Sequence, residues 1–580
     1  MPGAARPSGN PQGDSHGRRM WLGAALCGLL AACAGVDPAP VAAAGNTPET
    51  LTQEMAGTLA TAAGPGVQSA LPAAPRSIPA RRYNVADSGA RPDDGLDDTA
   101  AIQATLDAAA AQGGGHVVFP GGRYDLSVQP PGPGHPHPQA LRLSSRLHLG
   151  PSAPGQLPVL RLADAQGDYE SLMATAEYAA PLEDFVLEGL TIDGNGQGNP
   201  VRRPSQGADN SPDFGSGDVQ TPRSALRAYQ GQRILVRGVR FVNQTNVNVI
   251  TFNGPEMSDA DIRDSSFEAV GNGPVGGQAA DFDHSSIYTD GPRMRVFHNR
   301  FTSRFGPGTP GARTAIETHG ADQSVEANTI DGFLTGINVV GVGAGGGARQ
   351  VYRNNVVRGA NTGLLLWSQG AGLQGVSITG NQIDLVNTPW LGAGLVDQET
   401  RVTGISVEGG SDAAITGLNI SGNTIAFGPV QSLNPYRDGF SNGIQLWSYT
   451  APDLSVSGLS IRGNRVVGSL GAGIRSEVAI VGTGANEIAG NVIVGPVRTT
   501  SLHSADLGAR QLRSGIYLVN RSRNLRVTGN SVQVQAGSFS DLQFGVTAAS
   551  TCEAGCLLQG NTLAAAGVTP SFADPSWTVK

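Results

Sequence analysis

Between His284 and His319 the sequence gathers side chains that can move a proton or hold a charge: His284, Tyr288, Asp290, Arg313, Glu317 and His319. Two chemistries suit this set. Asp290 and Glu317 can cleave a glycosidic bond with inversion, one as general acid and one activating water, if their carboxyls stand about 6.5–9.5 Å apart. Tyr288 and His319 with an arginine suit the other, moving the C5 proton of a uronate while the cation offsets the sugar carboxylate. That step opens both β-elimination and epimerisation. Arg313 and Arg227 are the candidate cations, and His284, in Asp283-His284-Ser285-Ser286, is a further candidate for proton transfer. Lysine occurs only as Lys580, which excludes a lysine base, a Schiff base or a phosphate-loop lysine. Each of these groups also has a plainer reading as a solvated acid, a backbone-bonded corner histidine or a rim ion pair. The elements that would bring them together must decide.

Those elements repeat. Asn299, Asn328, Asn355, Asn381, Asn423, Asn464, Asn491, Asn530 and Asn561 each stand two residues before an apolar residue, 26 to 42 residues apart. A second register runs through Ile287, Ile316, Ile337, Leu364, Ile405, Ile444, Ile474 and Ile516. Such a period marks stacked units, the longer spacings carrying loops. The asparagines then serve as a ladder, each side-chain amide bonding its equivalent one unit away. With 82 Gly and 37 Pro in 580 residues the chain is no helical bundle. The 39 basic and 47 acidic residues form no basic stripe, so nucleic acid is not an expected partner.

Near residue 83 the sequence changes to a strand, an acidic turn, a helix over Ala101–Ala111 with Asp98 as its cap, and a second strand. Asp97-Asp98-Thr99-Ala100-Ala101-Ile102-Gln103, then Gly113-Gly114-Gly115, Val117-Val118-Phe119-Pro120 and Gly122-Arg123-Tyr124, resemble the N-terminal cap of the pectate-lyase superfamily. That superfamily holds pectin and rhamnogalacturonan hydrolases, polysaccharide lyases, uronate epimerases and phage tailspike depolymerases. The resemblance implies an all-β fold, a right-handed parallel β-helix with a short N-terminal capping helix, and a carbohydrate substrate. The paired-Asp and Gly-His-Gly signatures of the polygalacturonase branch are absent, as is the lysine-containing set of several uronate lyases and epimerases.

In such a solenoid, about 12 coils are expected between residues 170 and 565. With the register isoleucines inward, positions plus one and plus three face outward. They give Arg227 and Tyr229, Thr251 and Asn253, Tyr288 and Asp290, Glu317 and His319, Asn338 and Val340, Leu365 and Trp367, Ser406 and Glu408, Gln445 and Trp447. Asp290 and Glu317 then lie about 8 Å apart at the Cα atoms. His319 falls beside Asp290, and Tyr288 beside Glu317. Arg227, Asn253, Asn338, Glu408 and Gln445 become substrate-binding candidates, and Trp367 and Trp447 sugar-stacking ones. Insertions at 193–222, 384–400, 426–440 and 494–512 fall at one corner, with Arg202, Arg203, Trp390, Tyr436 and Arg437 able to reach substrate.

Before the solenoid, Arg18 and Arg19 precede the apolar run Met20–Ala32, which ends Leu30-Ala31-Ala32-Cys33. This resembles a bacterial lipobox and implies a signal peptide over 1–33, lipidation of Cys33 and tethering to the outer membrane. Residues 34–80 read as a flexible spacer and 81–580 as the solenoid. Cys552 and Cys556 are spaced for a disulfide in an oxidising compartment. No cofactor is expected, and no His or Cys spacing suggests a metal. The expected activity is a glycoside hydrolase-type cleavage of an extracellular polysaccharide. The alternatives are a lyase or uronate epimerase using Tyr, His and Arg, and a non-catalytic glycan-binding lipoprotein.

Overall fold

A computed structural model describes residues 67–580 except 133, 135–136, 168, 177–179, 200–222, 245–247, 255, 270–284, 304–313, 342–346, 369–371, 386–401, 410–412, 429–441, 449–453, 470, 496–513, 534–543 and 565–568. The signal segment with Cys33, the spacer as far as residue 66, His284, Arg313, and the loop residues Arg202, Arg203, Trp390, Tyr436 and Arg437 lie outside the described residues.

The expected register is the register found. Ile250, Ile287, Ile316, Ile337, Leu364, Ile405, Ile444, Ile474 and Ile516 are Cα partners in successive strands, all fully buried. Pairings between strands are parallel, and three sheets run the length of the molecule, with 20, 14 and 14 strands. The chain folds as a right-handed parallel β-helix. Twelve strands of the sheet that bears the isoleucines lie between Ser171 and Ala548, matching the 12 expected there. One more strand, Gln139–Leu143, lies below and one, Thr569–Ala573, above, making 14 coils.

The asparagines form the expected ladder. From Asn299 to Asn561 each Nδ2 donates to the Oδ1 of the next, at 2.9–3.1 Å. Each also donates to a backbone carbonyl, so corner amides with no access to water are satisfied within the protein.

The capping helix spans Thr99–Ala111 and buries Ile102, Leu106 and Ala109 over the first coils. Asp98 does not cap it as expected. Its carboxylate accepts from the Arg91 amide instead, and Asp97 Oδ1 takes the Thr99 amide at 3.0 Å. Gly113–Gly115 follow the helix end and lead into the next strand. At Gly114, φ is +111° and a Cβ would stand 2.3 Å from the Arg146 carbonyl oxygen, so only glycine fits. At the other end Cys552 and Cys556 are joined in a disulfide, and Trp577 Nε1 donates to the Ser550 carbonyl.

Candidate active site

Strand Ser285–Thr289 and strand Thr314–His319 lie in neighbouring coils and carry Tyr288, Glu317 and His319. Their register places Tyr288 beside Glu317 and Glu317 beside Asn338 of the next coil, as the alternation predicts. Glu317 is 6% exposed and is held from three sides. His319 Nε2 meets Oε1 at 3.0 Å, the Ser285 hydroxyl donates to Oε2 at 2.7 Å from the coil below, and Asn338 bonds from the coil above. Burial pushes this carboxyl up, but the histidine bond and charge, the serine and the asparagine together outweigh it. The net direction is down, so Glu317 is a carboxylate. The Tyr288 ring lies against the other side of the histidine, with centroids 4.7 Å apart and planes tilted by 36°.

His319 was expected beside Asp290. The pairing of Thr289 with Thr318 is consistent with that placement, while the imidazole hydrogen-bonds Glu317, two residues away on its own strand and so on the same face. Asp290 is half-buried just past the end of its strand, and its carboxylate has no hydrogen bond among the described residues.

Arg227 is not an open groove cation. It is 4% exposed, stacks 4.6 Å over the Tyr229 ring, and its Nε is 3.6 Å from the buried Glu170. Burial raises the Glu170 carboxyl to about 7 against the opposing charge of Arg227. Gln445 is likewise fully buried, its Oε1 accepting from Asn442 at 2.7 Å. Asn253 and Asn338 are half-buried at the groove, and Asn338 Oδ1 is a buried acceptor with no partner among the described residues. Trp367, Glu408 and Trp447 are Cα partners in three successive coils, each half-buried, with the Ser406 hydroxyl donating to Glu408. The tryptophans are therefore two coils apart, about 9.6 Å.

Sequence reasoning missed Ser285 and Glu170. Each immediately precedes or opens a strand at a corner, where simple alternation fails. Ser285 pairs with Thr314 and Ile287 with Ile316, while the intervening residues do not pair, and the corner turns Ser285 onto the outer face. A hydroxyl or amide two residues before most register positions (Asn248, Ser285, Thr314, Thr335, Thr362, Thr403, Asn442 and Ser514, but Ala472 before Ile474) was the available signal.

A family model described as rhamnogalacturonase A/epimerase, pectate lyase-like, matches residues 82–129. Mannuronan C5-epimerase AlgE1 of Azotobacter vinelandii is 38% identical over 113 residues, 20% of this chain and 8% of that relative. The fold is pectate-lyase-like. Alginate lyase 7 of the same organism is 35% identical over 113 residues, 20% of this chain and 13% of that relative. The chain thus spans only a small part of the curated relatives it matches. Among solved structures, the A-module of A. vinelandii mannuronan C-5 epimerase AlgE4 aligns over 86% of this chain and 100% of that one, at 18% identity and a TM-score of 0.38. That likeness is too loose to carry an argument about the site.

The expectation of a glycoside hydrolase is overturned by these relatives, which are C5-epimerases and a lyase. The physical reason lies in Glu317. Both its oxygens are occupied and it is held ionised, so it neither donates a proton nor offers a free face to activate water.

Proposed function

We propose that this chain binds a uronate-containing polysaccharide in the groove and moves the C5 proton of one sugar, as a lyase or a C5-epimerase. The observation that carries the reading is the Glu317–His319 bond with the Tyr288 ring against the imidazole. The names of the relatives support it, since epimerisation at C5 and alginate elimination both begin with that proton.

The anionic Glu317 accepts the Nε2 proton of His319, which leaves Nδ1 as the ring nitrogen that exchanges a proton with the substrate. His319 and Tyr288 then form an acid–base couple. One member removes the C5 proton, and the electron pair passes into the sugar carboxylate. In elimination the pair returns to form the C4–C5 double bond, the C4–O4 bond breaks, and the other member protonates the departing oxygen. In epimerisation that member instead returns a proton to the opposite face of C5, and no bond to O4 breaks. Asn338 is the group proposed to face the substrate carboxylate or its neighbours, with Arg313, outside the described residues, as the candidate cation from the sequence, and Trp367 and Trp447 are proposed to stack on sugars further along the groove.

Turnover should be assayed on mannuronan, alginate and a panel of neutral and acidic polysaccharides. Reducing ends with the ultraviolet absorbance of unsaturated uronates indicate a lyase. A changed uronate composition without new ends indicates an epimerase. Reducing ends alone, or no change on any polymer, contradict the proposal.

We further propose that the chain is exported and anchored through Cys33, on the strength of the Arg18–Cys33 sequence and of the Cys552–Cys556 disulfide, which requires an oxidising compartment. Cys33→Ala should free the protein from membranes or leave it unprocessed. Unchanged membrane association contradicts the anchor.

A further inference from the structure

Residues 67–81, most of which were expected to be free spacer, lie along the outside of the solenoid. Three of their amides are bonded to it: Arg76 to Asp184 Oδ1 at 2.8 Å, Ala73 to Asp259 Oδ1 at 3.0 Å, and Ala70 to Asp322 Oδ1 at 3.1 Å. The donors are three residues apart, and the acceptors are two coils apart. Strand register stacks Asp184, Arg233, Asp259, Arg293, Asp322 and Arg349 at one corner of six successive coils. Acid and arginine alternate. Each aspartate accepts two bonds from the arginine of the coil above, at 2.6–3.2 Å, and keeps its remaining capacity for a strap amide.

Two further observations share this period. Ser69, Pro72, Pro75 and Ile78 are half-buried while the two residues following each of the first three are exposed, so one residue in three faces the solenoid. Six residues from Arg76 to Ala70 span four coils, about 19 Å, or roughly 3.2 Å per residue. That rise and that three-fold period belong to the polyproline-II helix, at about 3.1 Å per residue, and not to an α-helix. A polyproline-II turn of about 9.3 Å therefore nearly matches two coils of about 9.6 Å.

The corner itself is costly. All six ladder residues are non-glycine with left-handed φ between 53° and 60°, a conformation that L side chains rarely adopt. Above Arg349 the same position is glycine, at Gly375 and Gly417. Val67 reaches that first glycine, its Cγ2 lying 3.6 Å from where a Gly375 Cβ would stand. Charged side chains thus replace glycine along the coils that the strap covers.

We propose that the Asp/Arg ladder is a recognition surface for a polyproline-II chain, read at one backbone amide per two coils, with this chain's own residues 67–81 as its occupant. The strap carries the chain from the cap, where strand Arg82–Asn84 begins, up to the coil of Asp322. That coil also carries Glu317 and His319, and Gln323 Nε2, next to Asp322, donates to the His319 carbonyl at 2.9 Å. Val67, at the far end of the strap, therefore lies against the upper coils beside Gly375 rather than at the end of the solenoid.

Backbone hydrogen exchange of the full chain, resolved within residues 67–81, tests this with two proline substitutions. Both keep polyproline-II geometry, but Ala73→Pro deletes a donor amide whereas Ala74→Pro deletes one with no hydrogen bond among the described residues. Ala73→Pro should speed exchange at Ala70 and Arg76 by about tenfold or more, the effect of losing a bond to a charged acceptor. Ala74→Pro should leave both protected. Inserting one alanine after Pro72 should release residues 67–72, and inserting three residues, which restores the phase, should protect them again. Exchange in strand Ser514–Leu518, far from the strap, reports whether each variant is folded. Equal exchange in the two proline variants, or equal loss with one and three inserted residues, overturns the proposal.

Discussion

Glu170 and Glu317 are two buried glutamates of one face of the solenoid, and the protein treats them oppositely. Glu170, with the Arg227 Nε 3.6 Å away as an opposing charge, is pushed up by burial to about 7. Glu317, equally enclosed, collects a histidine, a serine and an asparagine and is drawn down. Burial is common to both, so it does not define the site. The number and aim of donors on the carboxylate do, because each favours the charged form that burial disfavours. On this view Glu317 is a built anion that orients His319, and Glu170 is a packing acid that holds Arg227.

Substitution should separate the two most sharply. Glu317→Gln should cost turnover by about 10³-fold or more, since His319 loses the partner that fixes its tautomer in an acid–base couple worth about 10²–10⁴. Glu170→Gln should change turnover by no more than a few-fold. Comparable losses from both would erase the distinction.

The next largest effect is on stability. Because the Glu170 carboxyl rises from 4.5 to about 7 on folding, the folded state keeps a proton that the unfolded chain releases across that window. Its contribution is whole below pH 4.5 and is lost as pH rises through about 7, a swing of roughly 3 kcal/mol. Denaturant unfolding from pH 4.5 to 8 should show this slope in the parent and not in Glu170→Gln. Glu317, with its pKa lowered, gives the opposite sign: its contribution is present above pH 4.5 and fades as pH falls. Parallel pH curves for parent and Glu170→Gln contradict the assignment.

A smaller effect is expected at the upper groove. Trp367→Ala and Trp447→Ala should each weaken binding of the cleaved or epimerised polymer by about 2- to 13-fold, the scale of a lost aromatic stacking contact, with Tm little changed. A large fall in Tm with unaltered binding would make them packing residues.

Much of this was legible in the sequence, for a reason particular residues show. Ile287 and Ile316, or Asn299 and Asn328, occupy the same place in successive coils, so spacing alone gives their register and puts Tyr288 next to Glu317. What escaped lies where the repeat is broken or has another period. Ser285 sits at a corner where alternation fails. Glu170 and Arg227 meet across a coil lengthened by the 193–222 insertion, which hides their adjacency. The strap has a period of three, so neither a strand pattern of two nor a helical 3.6 reveals it. The Glu317–His319 bond lies within one strand, where counting neighbours between coils does not look for it.

The central claim is that Tyr288 and His319 exchange the C5 proton of a uronate. It is tested most directly by incubating the parent, Tyr288→Phe and His319→Ala with mannuronan or alginate in D₂O and recovering the polymer for NMR. The account predicts deuterium at C5, or unsaturated uronate ends, with the parent, and neither with the two variants. Deuterium or unsaturated ends at parental levels in both variants, or cleaved polymer from the parent that carries neither mark, would contradict it.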